Sequence, residues 1–125
     1  MPEFMLLIRN KADHQATWAP ERHLAFVKRC EAYIGDLKKQ GKLIAAQPLI
    51  KEGRTISGSD GAWREAPMDP RGIIQVGYYH IVAHDAEEAV AIAKMNPEFE
   101  FSPTAQVEVR MIKGSEAQTG FVYPR

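Results

Sequence analysis

Apolar residues follow two rhythms along this chain, one of period two and one with spacings of three and four, and the changes between them outline its elements. Phe4-Met5-Leu6-Leu7-Ile8 is an unbroken apolar run, as suits a central strand covered on both faces. Residues 11–17 are polar and read as a loop. Pro20 fits a first helical turn, where its missing N–H has no intrahelical partner to lose. Beyond it Val27, Cys30, Ile34 and Leu37 recur at helical spacing, which predicts a helix face running to about Gln40, with Gly41 as its stop. Residues 43–50 predict a second strand, and Pro48 points to a sheet edge. Residues 54–57 read as a short extra strand.

The stretch 58–72 carries Pro67, Pro70 and three glycines and reads as a long irregular insert, a kind of connection that is often functional. Residues 73–83 form the strongest strand signal: Ile74, Val76, Tyr78 and Val82 on one face, Ile73, Tyr79 and Ile81 on the other. Asp85 with Glu88 three residues on is an acidic analogue of a capping box. It opens a helix with the stripe Ala86, Ala89, Val90 and Ala93, which Asn96-Pro97 ends. Val107, Val109 and Met111 alternate with Glu108 and Arg110 in a last strand, and residues 114–125 form a tail bearing Phe121 and Tyr123. Residues 1–113 therefore read as one domain.

The order strand, helix, strand, insert, strand, helix, strand predicts an α+β ferredoxin-like βαββαβ domain with both helices on one sheet face. The two most apolar strands fall in the centre and are apolar on both faces. Two helices cover only one of them, so a second copy is the simplest cover for the other: a homodimer is expected.

Composition narrows the partners. The chain has 125 residues, 45% hydrophobic and 26% charged, ordinary values for one globular domain. Lysine plus arginine equals aspartate plus glutamate at 16 each, which leaves little basic excess to capture nucleic acid or anionic lipid. The lone Cys30 forms no intrachain disulfide, and no apolar run approaches the ~20 residues of a membrane span. A cytoplasmic protein without membrane or nucleic-acid partners is expected.

The chemistry-bearing residues are few. His23 lies four residues before Val27, on the stripe of the first helix; it reads either as a satisfied half-buried ring or as an acid–base or ligand contact. Cys30 is seven residues on, roughly 10 Å along the axis, so the two make no dyad. His80 and His84 are about 13 Å apart in extended chain, too far to share a zinc directly, and His14 sits in a loop without an evident partner. Nothing has metal-ligand spacing, and no cofactor is expected. Gly58-Ser59-Asp60-Gly61 lacks the helix that a phosphate loop leads into and reads as a turn. Trp63, Arg64 and Arg71 could form a lid from the insert, and Glu108 and Arg110 are either solvated polarity or inter-subunit or ligand contacts.

Phe4-Met5-Leu6-Leu7-Ile8, Gly41-Lys42-Leu43, Asp60-Gly61, Gly77-Tyr78-Tyr79, Asp85-Ala86-Glu87-Glu88-Ala89, Asn96-Pro97 and Val107-Glu108-Val109-Arg110 occur in this order, and over about residues 3–113 the chain resembles the YCII-related (DGPF) family. The resemblance implies a dimeric α/β barrel with two sheets face to face. It also implies a site that pairs a first-helix histidine, here His23, with an aspartate before a proline, a position held here by Asn96. The Pro-Phe that follows Asp-Gly in the family is Ala62-Trp63. The resulting expectation is a small-molecule pocket protein with acid–base chemistry at His23 and Asn96, and ligand contacts from Asp60, Trp63, Arg64 and Arg110. The alternatives are a non-catalytic binding or accessory module of the same fold, and a cofactor-independent oxygenase-like enzyme.

Overall fold

Along β1 (Glu3–Lys11) the apolar run resolves into strict alternation. Phe4, Leu6, Ile8 and Asn10 are buried, while Met5, Leu7 and Arg9 are half-buried on the opposite face. The computed structural model describes residues 1–124. After β1 come α1 (Pro20–Lys39), β2 (Leu43–Pro48), β3 (Arg54–Ser59), β4 (Ala62–Pro67), β5 (Ile73–Val82), α2 (Ala86–Lys94), the one-turn α3 (Glu98–Phe101) and β6 (Gln106–Met111). The fold is α+β. Four strands pair antiparallel in the order β2-β5-β1-β6, so β1 and β5 are central and β2 is an edge.

Both long helices pack on one face of this sheet. Tyr33 and Leu37 of α1 and Ala89 and Ala93 of α2 share a core with Phe4, Leu6, Ile8, Ile74, Val76, Tyr79 and Ile81. The Tyr33 and Tyr79 rings meet edge to face at 5.3 Å, and the Tyr33 hydroxyl donates to the Ile92 carbonyl at 2.7 Å, tying α1 to α2 over the sheet. Asp85 caps α2 as its sequence predicts. Its side chain accepts from the Glu88 N–H at 2.9 Å, and the Glu88 carboxylate accepts in return from the His84 N–H. Of the predicted stripe, Ala89 and Ala93 are buried, Val90 is half-buried and Ala86 is exposed.

Two local readings are corrected. The faces of β5 do not alternate straight through: Ile74 and Val76 are buried, and so are Gly77, Tyr79 and Ile81. Ile8 pairs with Gly77 but Arg9 with Gln75, so Val76 is an extra residue, and this β-bulge shifts the phase. Tyr79 thereby joins the helix-side core, and Tyr78 turns to the other side. The stretch 58–72 is also not one long loop. β3 and β4 pair around Asp60-Gly61, whose φ angles are 39° and 86°, as a two-residue type I′ turn requires. The resulting hairpin projects from the body, with all six residues of each strand exposed.

The tail folds on itself. Ser115 bridges Val122, the Glu116 N–H donates to the Phe121 carbonyl at 2.8 Å, and the Phe121 and Tyr123 rings stack edge to face at 5.1 Å while remaining 55% and 44% exposed. No helix among the described residues is long and apolar enough to cross a membrane.

Candidate functional site

The first half of α1 stands off the sheet, and this makes the site. Only Tyr33 and Leu37 of the helix are fully buried; Val27 is 38% exposed, although it lies on the apolar stripe. The stripe packs at Ile34 and Leu37, whereas its first part, at Val27, lines a cleft. A cavity of about 370 Å³ lies between α1, the end of β2 and the bulged part of β5, walled by Phe26, Val27, Ile34, Val76 and Tyr79. That volume and that apolar wall fall in the range of small-molecule sites.

The closed end of the cleft is polar. His14, Cys30, Asn96 and Glu98 all line it. Glu98, at 7% exposure, is a buried carboxylate, a state that needs donors. Asn10 supplies one, from Nδ2 to Oε2 at 3.1 Å. Asn10 Oδ1 is held in turn by the Thr104 hydroxyl at 2.7 Å and the Lys11 N–H at 2.8 Å, and Asn96 Oδ1 accepts from the Glu98 N–H at 2.9 Å. Asn10 is thus the fourth position of the buried stripe of β1, and α3 presents Glu98 to it.

His14 faces the same carboxylate. Its side chain is 3% exposed, with Nε2 3.4 Å from Glu98 Oε1. That is within ion-pair reach but not aligned for a hydrogen bond, and Nε2 has no hydrogen-bond partner. Nδ1 lies 2.9 Å from the Lys11 carbonyl, which can only accept. Nδ1 therefore carries a proton, and Nε2 is the ring atom that faces the Glu98 carboxylate. Asn96 Nδ2 is likewise buried, with no closely aligned hydrogen bond but with its amide beside the Tyr33 and Tyr79 hydroxyls. Trp18 fixes the loop that carries His14, packing on His14, Phe26 and Phe101 at 6.1, 5.4 and 5.8 Å. Arg22 lies over the Trp18 and Phe101 rings at 5.1 and 5.0 Å and donates to the Phe101 carbonyl, which ties α1 to α3.

Cys30 and Tyr79 on the cleft wall, and Tyr33 beside Tyr79, hold their protons. Burial pushes the Cys30 thiol up to about 11, with the nearby Glu98 charge adding to it, so Cys30 is a thiol rather than a nucleophilic thiolate near neutrality. Burial also pushes the Tyr33 and Tyr79 phenols well above their ordinary range, and hydrogen bonding with the Asn96 amide offsets only part of the shift.

Of the residues singled out from sequence, His23 and Asn96 both line this cleft, without contact between them. They differ sharply in setting. His23 is exposed at the mouth, 6.3 Å from the Trp18 ring, not half-buried in the core, whereas Asn96 is 1% exposed at the closed end. Asp60, Trp63 and Arg64 are on the projecting hairpin, with Trp63 61% exposed, and do not line the cleft. Arg110 lies on β6 beside Glu108 at 3.7 Å, on the sheet face away from the helices. Sequence reasoning passed over Asn10, Glu98 and the partners of His14. The available signal was Asn10 itself, a polar residue in phase with Phe4, Leu6 and Ile8. No group of side chains suited to hold a metal occurs among the described residues.

A scan of protein-family models finds no match to this chain, and a search of curated proteins finds no relative.

Proposed function

We propose that this chain is a YCII-related small-molecule pocket protein, a ferredoxin-like unit that pairs with a second copy through the open face of its sheet and takes an organic ligand in the cleft beneath α1. The observation that carries this reading is the cleft itself: the first part of the α1 stripe, at Val27, is left unpacked over a cavity of about 370 Å³ whose closed end holds buried polar groups. Packed interiors leave few voids of that size, and a stripe that gives up its burial points to a ligand. The strand order β2-β5-β1-β6 with both helices on one side fits the fold that the resemblance implies. On the open face Met5, Leu7, Tyr78 and Val82 are half-buried, a sparse apolar patch that a partner sheet would cover.

Acid–base chemistry at this site rests on His23, the exposed ring at the mouth, with Asn96 at the far end. Asparagine does not ionise and Cys30 keeps its proton, and these two features favour a second reading, binding without turnover. One experiment separates the two. A metabolite library is screened by thermal shift, and mass spectrometry of each stabilising mixture distinguishes a ligand bound unchanged from one converted. His23→Ala should leave stability within about 0.5 kcal/mol, because the side chain is exposed, and should abolish any conversion. Conversion that survives His23→Ala removes the histidine from the chemistry, and a screen without hits removes the pocket reading. Light scattering at micromolar concentration should give twice the chain mass; a monomer removes the paired sheet.

A further inference from the structure

The polar side chains at the closed end of the cleft are engaged with one another and withdrawn from its interior. Glu98 accepts from Asn10 and faces His14, and His14 Nδ1 donates to the Lys11 carbonyl. The Asn96 amide lies beside the Tyr33 and Tyr79 hydroxyls, and neither His14 Nε2 nor Asn96 Nδ2 has surface open to a ligand. Cys30 keeps its proton. What the interior offers is therefore hydrocarbon, from Phe26, Val27, Ile34, Val76 and the Tyr79 ring, and Val27 and Leu49 carry that apolar lining out to positions 38% and 41% exposed. One charge on the lining is left over. Lys51, just past β2 and across the cleft from α1, is half-buried and has no ion-pair or side-chain hydrogen-bond partner among the described residues. Its ammonium is not closed off as the two withdrawn nitrogens are. Partial burial of a charge without a counter-ion is unfavourable. The other ionisable side chains with which it shares the lining do not supply one: His14 and Glu98 face each other, and His23 and Glu31 are exposed to water.

We propose that the cleft takes an amphipathic organic acid, with a hydrocarbon body seated among the apolar walls and a single carboxylate on the Lys51 ammonium. This rests on the pocket reading above and adds to it the ligand class and the residue that reads the head. Lysine is a point charge with rotatable donors, so it selects the sign of the head rather than its exact shape. The walls select the body: a further hydroxyl or amide on it would lose its water and find no open partner.

The test compares octanoate, 1-octanol and octylamine on the unaltered chain at pH 7, with pentanoate to heptanoate as a length series. Affinities come from amide NMR titration, taken from the shifts of Val27, Ile34 and Val76 so that only binding in the cleft is counted. The expected result is octanoate about tenfold tighter than octanol, the worth of one charge-assisted contact, with octylamine weakest. Affinity should rise about fourfold per methylene along the series. Lys51→Met should bring octanoate down to the level of octanol and leave octanol unchanged, Lys51→Arg should keep the preference, and Lys51→Glu should turn it towards octylamine. Should a variant fail to fold, the probe ranking and the length series on the unaltered chain still decide. Octanol binding as tightly as octanoate overturns the inference and leaves the pocket reading standing, and so does octanoate binding that survives Lys51→Met undiminished. Octylamine binding tightest overturns it in favour of a carboxylate as the reader of the head. An affinity that does not grow with chain length overturns the seating of the body. If no probe binds in the cleft, the pocket reading falls and the inference with it.

Discussion

Removing the Asn10 side chain should destabilise this protein well beyond what one exposed asparagine would. Asn10 is fully buried, with Nδ2 on Glu98 Oε2 at 3.1 Å and Oδ1 accepting from the Thr104 hydroxyl at 2.7 Å and the Lys11 N–H at 2.8 Å. A hydrogen bond to a buried charged group contributes about 1.5–3 kcal/mol, and each neutral partner left behind adds roughly 1 kcal/mol. Asn10→Ala should therefore cost about 4 kcal/mol, a large share of the 5–15 kcal/mol that holds a typical domain together. Glu98→Ala should cost a similar amount, because it strands Asn10 Nδ2 and removes the carboxylate that His14 Nε2 faces at 3.4 Å. The two losses share one interaction, so the double variant should fall short of their sum by at least about 1 kcal/mol. Urea unfolding followed by circular dichroism, at one protomer concentration and with slopes compared between variants, measures all four corners of the cycle. Additivity within about 0.5 kcal/mol would refute the claim that Asn10 and Glu98 act as one buried unit.

With its thiol pushed up to about 11 from an ordinary 9.0, Cys30 should react with iodoacetamide at pH 8 about a hundredfold more slowly than free cysteine, from the loss of thiolate alone; a rate within tenfold of the free thiol contradicts this. Gly58 has φ +116°, and an added Cβ would fall 2.1 Å from the Ala62 carbonyl oxygen, so Gly58→Ala should erase hydrogen-exchange protection across Arg54–Ser59 and Ala62–Pro67 while the four-stranded sheet keeps its own. Loss of both together would mean the hairpin is integral to the body.

The parts of the fold that the sequence made legible are those in which one physical rule acts alone. The central strands follow from the apolar run at Phe4–Ile8 and the alternation after Ile73, α1 from its helical spacing behind Pro20, and α2 from the Asp85 cap. Misreadings arose where a local exception intervened. The bulge at Val76 inserts one residue, and a count of alternate positions carries no mark of it, so the faces beyond Gly77 came out reversed. The hairpin arm was hidden by prolines and glycines that resemble a loop, although Asp60-Gly61 was a turn signal for two flanking strands. The site was legible in part. His23 was found because it sits on a helix stripe, but the same stripe also suggested burial, which the cleft removes. His14 could not be found, because what gives it meaning is the carboxylate of Glu98, 84 positions away in the chain, which only the packing of α3 against the end of β1 brings to 3.4 Å.

The central claim is that the cleft beneath α1 is where this protein takes a small molecule, and amide NMR of the whole chain with pooled uncharged aromatic fragments tests it most directly. The account predicts shifts that cluster at Phe26, Val27, Ile34, Val76, Tyr78 and Tyr79 and leave Arg54–Pro67 unmoved. Shifts concentrated instead on the β3–β4 arm, or on the open face at Met5, Leu7 and Arg110, would contradict it.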